Sequence, residues 1–470
     1  MSKVVFFPDN ENFKNRNFPM VHRMMREFGL HSIFDNPPEV KNIRFYLKGF
    51  ENNFEKAIIE NRYIYNIDLF EIVGAEYRRY INARSLNESI TFKWSDILKC
   101  RFEKLDTLAM KELLSMLNEA NAYIEYYRDK LFIKRPLIVF VFGGSKIYQR
   151  ACLKICELYN LNAFVLEYFF TGNHVYIEPQ FDQIQNNKLT IERVRSRCRA
   201  STLTLKPINL VLANLNVKEQ PNTEHANTIL GTPTSKKLGC IFLQVFDDYS
   251  LANVDDEFVL STELDRVVRL ALEQNDQVFL KLHPFEYSKH GSYPTRDYLA
   301  NKFFEESSQN RIHFVEGMLE EHITRINNWY GIVSQYALNL TLLGHNPICN
   351  KKFFFSDILK PLSNNKRALF IYEMTEHGFF SKTEKSYDQF IQHIADNLLP
   401  CIGSTEADIE EFHDKVYSLK NANKVVLNYQ GMNTQTSGHV NRRRKIRNAI
   451  RLLRFDPRTF KAKLFAKLGI

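Results

Sequence analysis

Short apolar runs alternate with amphipathic segments along most of the chain. In the first half, runs at 3–7, 137–144 and 163–170 have the length and the aromatic and β-branched content of buried strands. Residues 145–160 show the apolar spacing of a helix, and a longer helical region is predicted over 86–130. A strand–helix–strand order of this kind favours a parallel sheet covered by helices on both faces.

The alternation is interrupted at 217–237, a polar segment with Pro, Gly, Asn and Thr that is the best candidate for a domain boundary. It then resumes, with strands predicted at 241–245, 278–282, 311–317 and 331–335, a short strand at 346–350, and helices at 263–275, 296–310, 322–329 and 336–344. The chain of 470 residues is therefore predicted to be an α/β protein with two Rossmann-like domains whose parallel sheets face a cleft.

The net charge of +9 is concentrated near the end of the sequence. Residues 437–470 contain eleven Lys or Arg and one acid, a net +10, which leaves −1 for the first 436 residues. A nearly neutral body argues against a general nucleic-acid-binding protein. Seven scattered cysteines without a CxxC pair predict a reducing, cytosolic setting and argue against a disulfide scaffold or a zinc site. We expect no secretory leader, because the first apolar run is short and is followed by Pro and Asp. We also expect no membrane-spanning helix, because no apolar run reaches eighteen residues.

Two adjacent carboxylates, Asp247 and Asp248, follow the first predicted strand of the second half, with Gln244 and Ser250 close by in sequence. Ligands of open α/β sheets bind at the carboxyl ends of the strands, where an aspartate can act as a nucleophile, a base or a metal ligand. Because side chains alternate along an extended chain, we expect only one of the two acids to do chemistry. The alternative is a polar turn that binds nothing.

The ends of two further strands carry polar side chains. Lys281, His283 and Pro284 follow the next strand, and an imidazole at a sheet edge can donate to a phosphate or move a proton. A core histidine is the alternative. Ser334 and Gln335 end the last strand of the series, where a hydroxyl and the unpaired backbone N–H groups of a helix start favour a phosphate. Helix capping alone is the alternative there.

The first half adds two features of the same kind. Gly143 and Gly144 close a buried strand, where glycine either permits a ligand to approach closely or only forms a tight turn. Glu167 lies near the end of the next strand, where a carboxylate belongs to a substrate cleft or to a structural salt bridge. No Walker or dinucleotide motif is present. An acid, a His-Pro and an anion-binding helix start together favour a nucleotide-sugar transferase of the GT-B type, which has two Rossmann-like domains.

The second half resembles the bacterial capsular polysaccharide synthesis and export family, the β-Kdo transferases that build the Kdo linker beneath Gram-negative capsules. The family motif Q-V-x-D-D-x-S corresponds to residues 244–250, and its K-x-H-P corresponds to 281–284. Its R-hydrophobic-x-hydrophobic-V strand corresponds to 311–315, and its later Ser, Gly and Pro correspond to Ser334, Gly344 and Pro347. The chain departs from the family at FGGS, which lacks the aspartate expected after FG, and at Val-Ser-Gln, where the family has Asn-Ser-Thr.

The resemblance implies transfer of Kdo from CMP-β-Kdo to a saccharide or lipid-linked acceptor, with retention by double displacement and without a metal. It implies that Asp248 is the nucleophile, that His283 and Ser334 hold the CMP phosphate, and that Glu167 is the base for the acceptor. The complete catalytic set is Asp248, His283 and Glu167, and the donor-binding set is Gln244, Asp247, Ser250, Lys281, Pro284, Ser334, Gln335, Gly143 and Gly144. Two alternatives remain: a GT-B enzyme with a UDP- or CDP-linked donor, and a non-catalytic capsule-assembly partner.

On this interpretation, residues 1–225 form a Rossmann-like acceptor domain with a helical insertion, 236–415 form the donor domain, and 416–470 form a helical region with a basic tail. The tail combines basic and apolar residues at helical spacing, which is typical of a helix lying on anionic lipid. A solvated charged end and RNA binding are the alternatives. We expect a cytoplasmic protein, peripheral on the inner membrane and near other capsule-assembly proteins, that contacts lipid through Arg442, Arg443, Arg444, Lys445, Arg447 and Arg451.

Overall fold

The structure is a computed structural model. It describes residues 4–9, 13, 30–37, 53–90, 92–168, 174–179, 181–183, 230, 235–316, 320–323, 325–334, 336–337, 340, 345–350 and 379–381. The backbone divides into two compact units, Met1–Glu410 and Glu411–Ile470, and every described residue belongs to the first. Gln335 and the predicted basic helices of the tail lie outside the described residues, and the predicted domain boundaries stay predictions.

The N-terminal half contains a six-stranded sheet of order β12-β7-β6-β5-β1-β2. Its strands are β1 (Val4–Phe7), β2 (His31–Phe34), β5 (Ile138–Phe142), β6 (Ala163–Tyr168), β7 (His174–Pro179) and β12 (Phe379–Ser381). Four of them are parallel, whereas β7 and β12 run antiparallel to their neighbours. The prediction of an all-parallel sheet is therefore wrong at this edge. Only five residues separate β6 from β7, and a parallel crossover needs a dozen or more.

Helices of this half pack around the sheet, and one of them also contacts helices of the other half. They are α1 (Phe54–Glu60), α2 (Leu69–Asn87), α3 (Trp94–Leu98), α4 (Thr107–Lys134) and α5 (Ile147–Leu158); a short hairpin, β3 (Tyr63–Ile64) and β4 (Ile67–Asp68), precedes α2. The single helix predicted over 86–130 is wrong in its first part. Asp106 caps α4 by accepting a hydrogen bond from the backbone N–H of Ala109, so the long helix begins only at Thr107.

The C-terminal half contains a four-stranded parallel sheet of order β10-β9-β8-β11. Its strands are β8 (Leu238–Phe242), β9 (Gln277–Lys281), β10 (Ile312–Val315) and β11 (Asn328–Gly331). Ile348 continues the order with a parallel bridge to Tyr330, at the position predicted for a short strand. The order 3-2-1-4 is that of a doubly wound sheet, which reverses its direction of growth between β8 and β11. The helices are α6 (Tyr249–Ala252), α7 (Leu260–Gln274), α8 (Pro284–His290), α9 (Pro294–Lys302), α10 (Phe304–Ser308) and α11 (Glu320–Ile323).

Two predicted elements of this half are wrong in their boundaries. The helix predicted over 322–329 ends at Ile323, and the strand predicted at 331–335 is instead Asn328–Gly331. Trp329 and Tyr330 pair with Cys240 and Ile241 of β8, so burial in the sheet decides the conformation of this segment. The helix predicted over 296–310 is divided into α9 and α10 at Phe303, whose side chain is buried.

The predicted fold class is confirmed: the chain is an α/β protein with two Rossmann-like sheets, a GT-B-like organisation. One contiguous hydrophobic core includes β5 of the first sheet and β8 of the second. Helix α2 packs against α6 and α7, and so links the N-terminal half to the loop that follows β8. Cys152 and Cys156 are fully buried in this core.

Candidate functional site

The carboxyl ends of β8 and β11 are joined by one side chain, that of Gln244. Its Oε1 accepts a hydrogen bond from the backbone N–H of Val333 at 3.1 Å, and its Nε2 donates to the hydroxyl of Ser250 at 3.0 Å. This is the point at which the strand order reverses, where open α/β sheets bind ligands. The structure thus brings together three of the residues singled out in the sequence, Gln244, Ser250 and, one residue beyond Val333, Ser334.

Asp248 caps the short helix α6, since its Oδ1 accepts a hydrogen bond from the backbone N–H of Ser250 at 2.7 Å. Its own N–H donates to the carbonyl of Val245 at 2.9 Å, which closes a tight turn directly after the strand. The carboxylate is partly exposed and, in the part of the chain that the structure describes, receives no hydrogen bond at Oδ2. One carboxylate oxygen therefore fixes the turn, and the nucleophilic role of Asp248 stays a prediction.

His283 caps α8, and Pro284 occupies the first turn of that helix. The imidazole Nδ1 accepts a hydrogen bond from the backbone N–H of Phe285 at 3.2 Å. A neutral ring that accepts at Nδ1 carries its proton on Nε2, so the second nitrogen is a donor, as binding of a phosphate oxygen requires. The ring is partly exposed.

Lys281 and Ser334 both contact Tyr336, Lys281 at its ring and Ser334 at its backbone N–H. The Lys281 ammonium stands 5.2 Å from the centroid of this ring, and the Ser334 hydroxyl accepts from the Tyr336 backbone N–H at 3.2 Å. Ser334 therefore caps the turn that follows β11, and the phosphate-binding role favoured for it in the sequence stays a prediction. Gln335 lies outside the described residues.

The Asp247 carboxylate has different partners from that of Asp248, and two of them, Arg79 and Lys289, are cations. It pairs with Arg79 at 2.8 Å, with Lys289 at 2.6 Å and with His290 at 3.2 Å. Burial works against its ionisation, but the hydrogen bond from Lys289 and the charges of Lys289 and Arg79 outweigh burial and hold the pKa of Asp247 below its usual value. The two acids thus point to different surroundings, as the alternation argument predicted, and the donor-binding role of Asp247 stays a prediction.

The carboxyl ends of β5 and β6 carry the glycine pair and Glu167. Gly143 and Gly144 have φ values of +69° and +76°, which only glycine adopts easily. A Cβ at Gly143 would lie 3.2 Å from the Glu167 Oε2, so this carboxylate stands directly beside the turn. The next residue, Ser145, is buried and receives a 3.2 Å hydrogen bond from the side chain of Asn253, at the end of α6. The glycine turn of the first sheet therefore lies close to the Asp248 turn of the second.

Several polar residues of this region were not anticipated from the sequence. Asp9, directly after β1, is buried and accepts from the hydroxyl of Tyr148 at 2.8 Å and from Gln149 at 3.3 Å. An acid that closes an apolar strand was the signal used for Asp247 and Asp248, and VVFFPD shows the same signal. Arg79 and Glu76 on α2 gave no such signal, because polar residues of an amphipathic helix usually face solvent.

Within the described residues, no group of three or more His, Cys, Asp or Glu side chains could hold a metal ion. Among the helices of that part of the chain, none is long and apolar enough to cross a membrane.

Comparison with solved structures finds proteins of similar fold. The chain is 14% identical to Thermosulfurimonas dismutans KpsC, a β-Kdo 2,7-transferase, with a TM-score of 0.38 over 57% of this chain and 89% of that chain. It is 10% identical to S. aureus MnaA, solved with UDP, with a TM-score of 0.32 over 84% and 96% of the two chains. It is 8% identical to UDP-GlcNAc 2-epimerase of Neisseria meningitidis bound to UDP-GlcNAc, with a TM-score of 0.27 over 89% and 99%.

At these identities the likeness concerns the fold alone. No protein-family model matches the chain, and no curated protein matches it.

Proposed function

We propose that the protein is a retaining glycosyltransferase that moves Kdo from CMP-β-Kdo to a saccharide or lipid-linked acceptor of a capsular or related surface polysaccharide. The observation that supports this most is the set of groups at the switch point of the C-terminal sheet. Gln244 joins the ends of β8 and β11, and the Asp248 carboxylate, the His283 imidazole and the Ser334 turn follow the ends of β8, β9 and β11 respectively. Such a set offers a nucleophile and donors for a phosphate on one sheet edge.

In the first step, the Asp248 carboxylate attacks the anomeric carbon of the donor sugar, and the bond from that carbon to the phosphate oxygen of CMP breaks. The electron pair leaves with the phosphate, whose charge the His283 Nε2–H, the Ser334 turn and the Lys281 ammonium stabilise. In the second step, an acceptor hydroxyl attacks the same carbon and gives its proton to Glu167, and the Asp248 carboxylate is released. Two inversions give net retention.

The test uses the full-length protein with a panel of CMP-, UDP- and CDP-linked sugars, and measures release of the nucleotide with and without acceptor saccharides. We expect release from CMP-Kdo and a covalent Kdo adduct on Asp248, seen by mass spectrometry of the protein when no acceptor is present. Asp248→Ala should lower transfer on the order of 10³-fold or more and abolish the adduct. Glu167→Gln should lower transfer by about 10²–10⁴-fold.

Asp297→Ala is the matched control, because it removes an aspartate of the same half from an exposed pair with Arg296. Full transfer activity in Asp248→Ala would exclude the covalent mechanism. Nucleotide release from a UDP- or CDP-sugar but not from CMP-Kdo would contradict the proposed donor and still support a glycosyltransferase. An absence of release from every donor would favour a binding role in polysaccharide assembly.

The proposal includes attachment to anionic lipid through the basic segment 437–470, which lies outside the described residues. Each Lys or Arg near an anionic surface contributes about 1 kcal/mol, so a segment of net charge +10 is sufficient for binding. Co-sedimentation with vesicles of phosphatidylglycerol, compared for the full chain and for a chain that ends at residue 436, measures this contribution. Equal sedimentation of the two proteins would exclude the tail as the anchor.

A further inference from the structure

Helix α2 of the N-terminal half reaches the Asp248 turn through the side chain of Arg79. The Nε of Arg79 donates to the backbone carbonyl of Asp247 at 2.6 Å, and Nη2 donates to the Asp247 carboxylate at 2.8 Å. The remaining nitrogen, Nη1, donates to the hydroxyl of Tyr249 at 2.9 Å. All three guanidinium nitrogens thus hold the two residues that flank Asp248.

The contact with Tyr249 is reinforced in two further ways. The guanidinium carbon of Arg79 lies 4.3 Å from the centroid of the Tyr249 ring, within the range of a cation–π interaction. Glu76, one turn earlier on α2, pairs with Arg79 and also accepts a hydrogen bond from the Tyr249 hydroxyl. On the other side of the turn, Lys289 and His290 of α8 bind the same Asp247 carboxylate.

The Asp248 side chain itself has little to hold it in place. Its one side-chain hydrogen bond among the described residues is the cap to the Ser250 N–H, and the Asp248 backbone bonds to Val245, Leu251 and Ala252 of the same turn and helix. All of these contacts move together with the turn. The four-residue helix α6 that follows is too short to fix the position of the turn by its own hydrogen bonds. Gln244 ties Ser250 to the sheet on one side of the turn. The position of the carboxylate relative to a sugar held by β9 and β11 therefore also depends on what holds Asp247 and Tyr249.

We propose that Arg79 is a positioning residue for the reaction, which sets the place of the Asp248 carboxylate through the backbone and side chain of Asp247 and through Tyr249. The inference rests on the proposed function, in which Asp248 is the nucleophile. A misplacement of about 1 Å in a reacting group lowers rate by about a hundredfold, even when substrate binding is unaffected. Lysine cannot replace Arg79, because an ammonium is a single compact charge and cannot direct three donors at two residues in fixed geometry.

The experiment compares Arg79→Lys and Arg79→Gln with a matched control, Arg78→Gln. Arg78 is the adjacent residue of α2 and crosses the same interface, where it binds Asp256 at 2.8 Å and Asn253 at 3.4 Å, but it contacts neither residue that flanks Asp248. Both Arg79 variants should lower kcat by about 10–100-fold, with the KM for the donor within about threefold of wild type. Arg78→Gln should keep kcat within about threefold of wild type, even if its melting temperature falls as far as that of the Arg79 variants.

Amide hydrogen exchange of the segment 247–250 supplies a readout that does not depend on catalysis. We expect exchange there to become at least about tenfold faster in the Arg79 variants than in Arg78→Gln, because the hydrogen bonds from Arg79 to Asp247 and Tyr249 are lost. If wild type releases no nucleotide, the proposed function fails, and exchange alone decides whether Arg79 holds the turn. Equal exchange in the Arg78 and Arg79 variants, or an unchanged kcat in Arg79→Gln, overturns the inference.

Discussion

Gly331 occupies the end of β11 at the switch point, opposite Phe242 of β8, and alanine should not fit there. A Cβ at Gly331 would lie 2.0 Å from Cε2 and 2.2 Å from Cζ of the Phe242 ring. Ordinary contact begins at 3.4 Å, so the ring would have to move back by at least 1.4 Å, which is 3.4 − 2.0. Phe242 is 4% exposed and packs edge-on against Tyr336 at 5.6 Å, which blocks that movement.

Overpacking of this kind costs about 1–3 kcal/mol, and the lower chain entropy of alanine in the unfolded state returns about 0.4–1 kcal/mol. We therefore expect Gly331→Ala to lower the free energy of unfolding by about 1–2 kcal/mol. Urea unfolding measures this loss. The chain has two tryptophans, and Trp329 lies in β11 while Trp94 lies in α3. In a Trp94→Phe background, fluorescence reports the C-terminal sheet specifically, and the midpoint should fall at unchanged slope.

A second variant separates the clash from other effects of the substitution. Phe242→Leu removes the ring, so Gly331→Ala should cost at least about 1 kcal/mol less in that background than in wild type. The reasoning is refuted if Gly331→Ala alone stays within about 0.5 kcal/mol of wild type, or if its cost is the same with phenylalanine and with leucine at position 242.

Three further predictions concern charged residues on or near helix α2. Arg79→Gln and Asp247→Asn should be coupled by about 0.5–3 kcal/mol in a double-mutant cycle of urea unfolding, and additive losses would contradict a direct contact. The pKa of Asp247 is lower in the folded protein than the unfolded value of 3.8, so its ionised carboxylate stabilises the fold above pH 3.8. This stabilisation is lost as pH falls through the lower folded value. Asp247→Asn should therefore make the free energy of unfolding depend less on pH in the acid range. Burial, followed by Glu76 and Glu112, raises the pKa of Glu119 from 4.5 to about 7, so its contribution is present below pH 4.5 and is lost as pH rises towards 7. Glu119→Gln should remove a loss on the order of 1–3 kcal/mol between pH 4.5 and about 7, and an identical pH dependence in the variant would contradict the assignment.

The alternation of strands and helices could be predicted because each strand of a parallel sheet is buried on both faces and reads as an apolar run. Such runs identified β5, β6, β8, β9 and β10, and with them the sheet edges where Asp248, His283 and Glu167 lie. The turns at the strand ends could also be predicted, because a Pro after a strand usually ends the strand and a Ser before a helix usually caps the helix.

The segment 322–331 was misread for an identifiable reason. Ile323, Ile326 and Trp329 are all buried and are spaced three residues apart, which imitates the apolar stripe of a helix. Periodicity over so short a stretch cannot distinguish a helix from a turn that leads into a buried strand. Pairing with β8, some ninety residues earlier in the chain, decides between them, and that pairing is a property of the folded chain.

The role of α2 could not be predicted from local sequence either. Arg79 contacts residues 168 and 170 positions away, and an arginine on a helix gives no local sign of which distant carboxylate it will meet. The split of the Asp pair into two environments was predicted from alternation alone, but the choice of partner for Asp247 depends on how the two halves pack.

The last described strand, β12, has a practical consequence for building chimaeras. Phe379–Ser381 follows every strand of the C-terminal sheet in sequence, yet it pairs with β7 at the edge of the N-terminal sheet. The chain therefore passes from one sheet to the other before residue 238 and returns between 350 and 379. Exchange of the C-terminal half with that of another protein of similar fold thus requires two junctions. A fragment of residues 1–225 would leave the outer edge of β7 open to pairing with other chains.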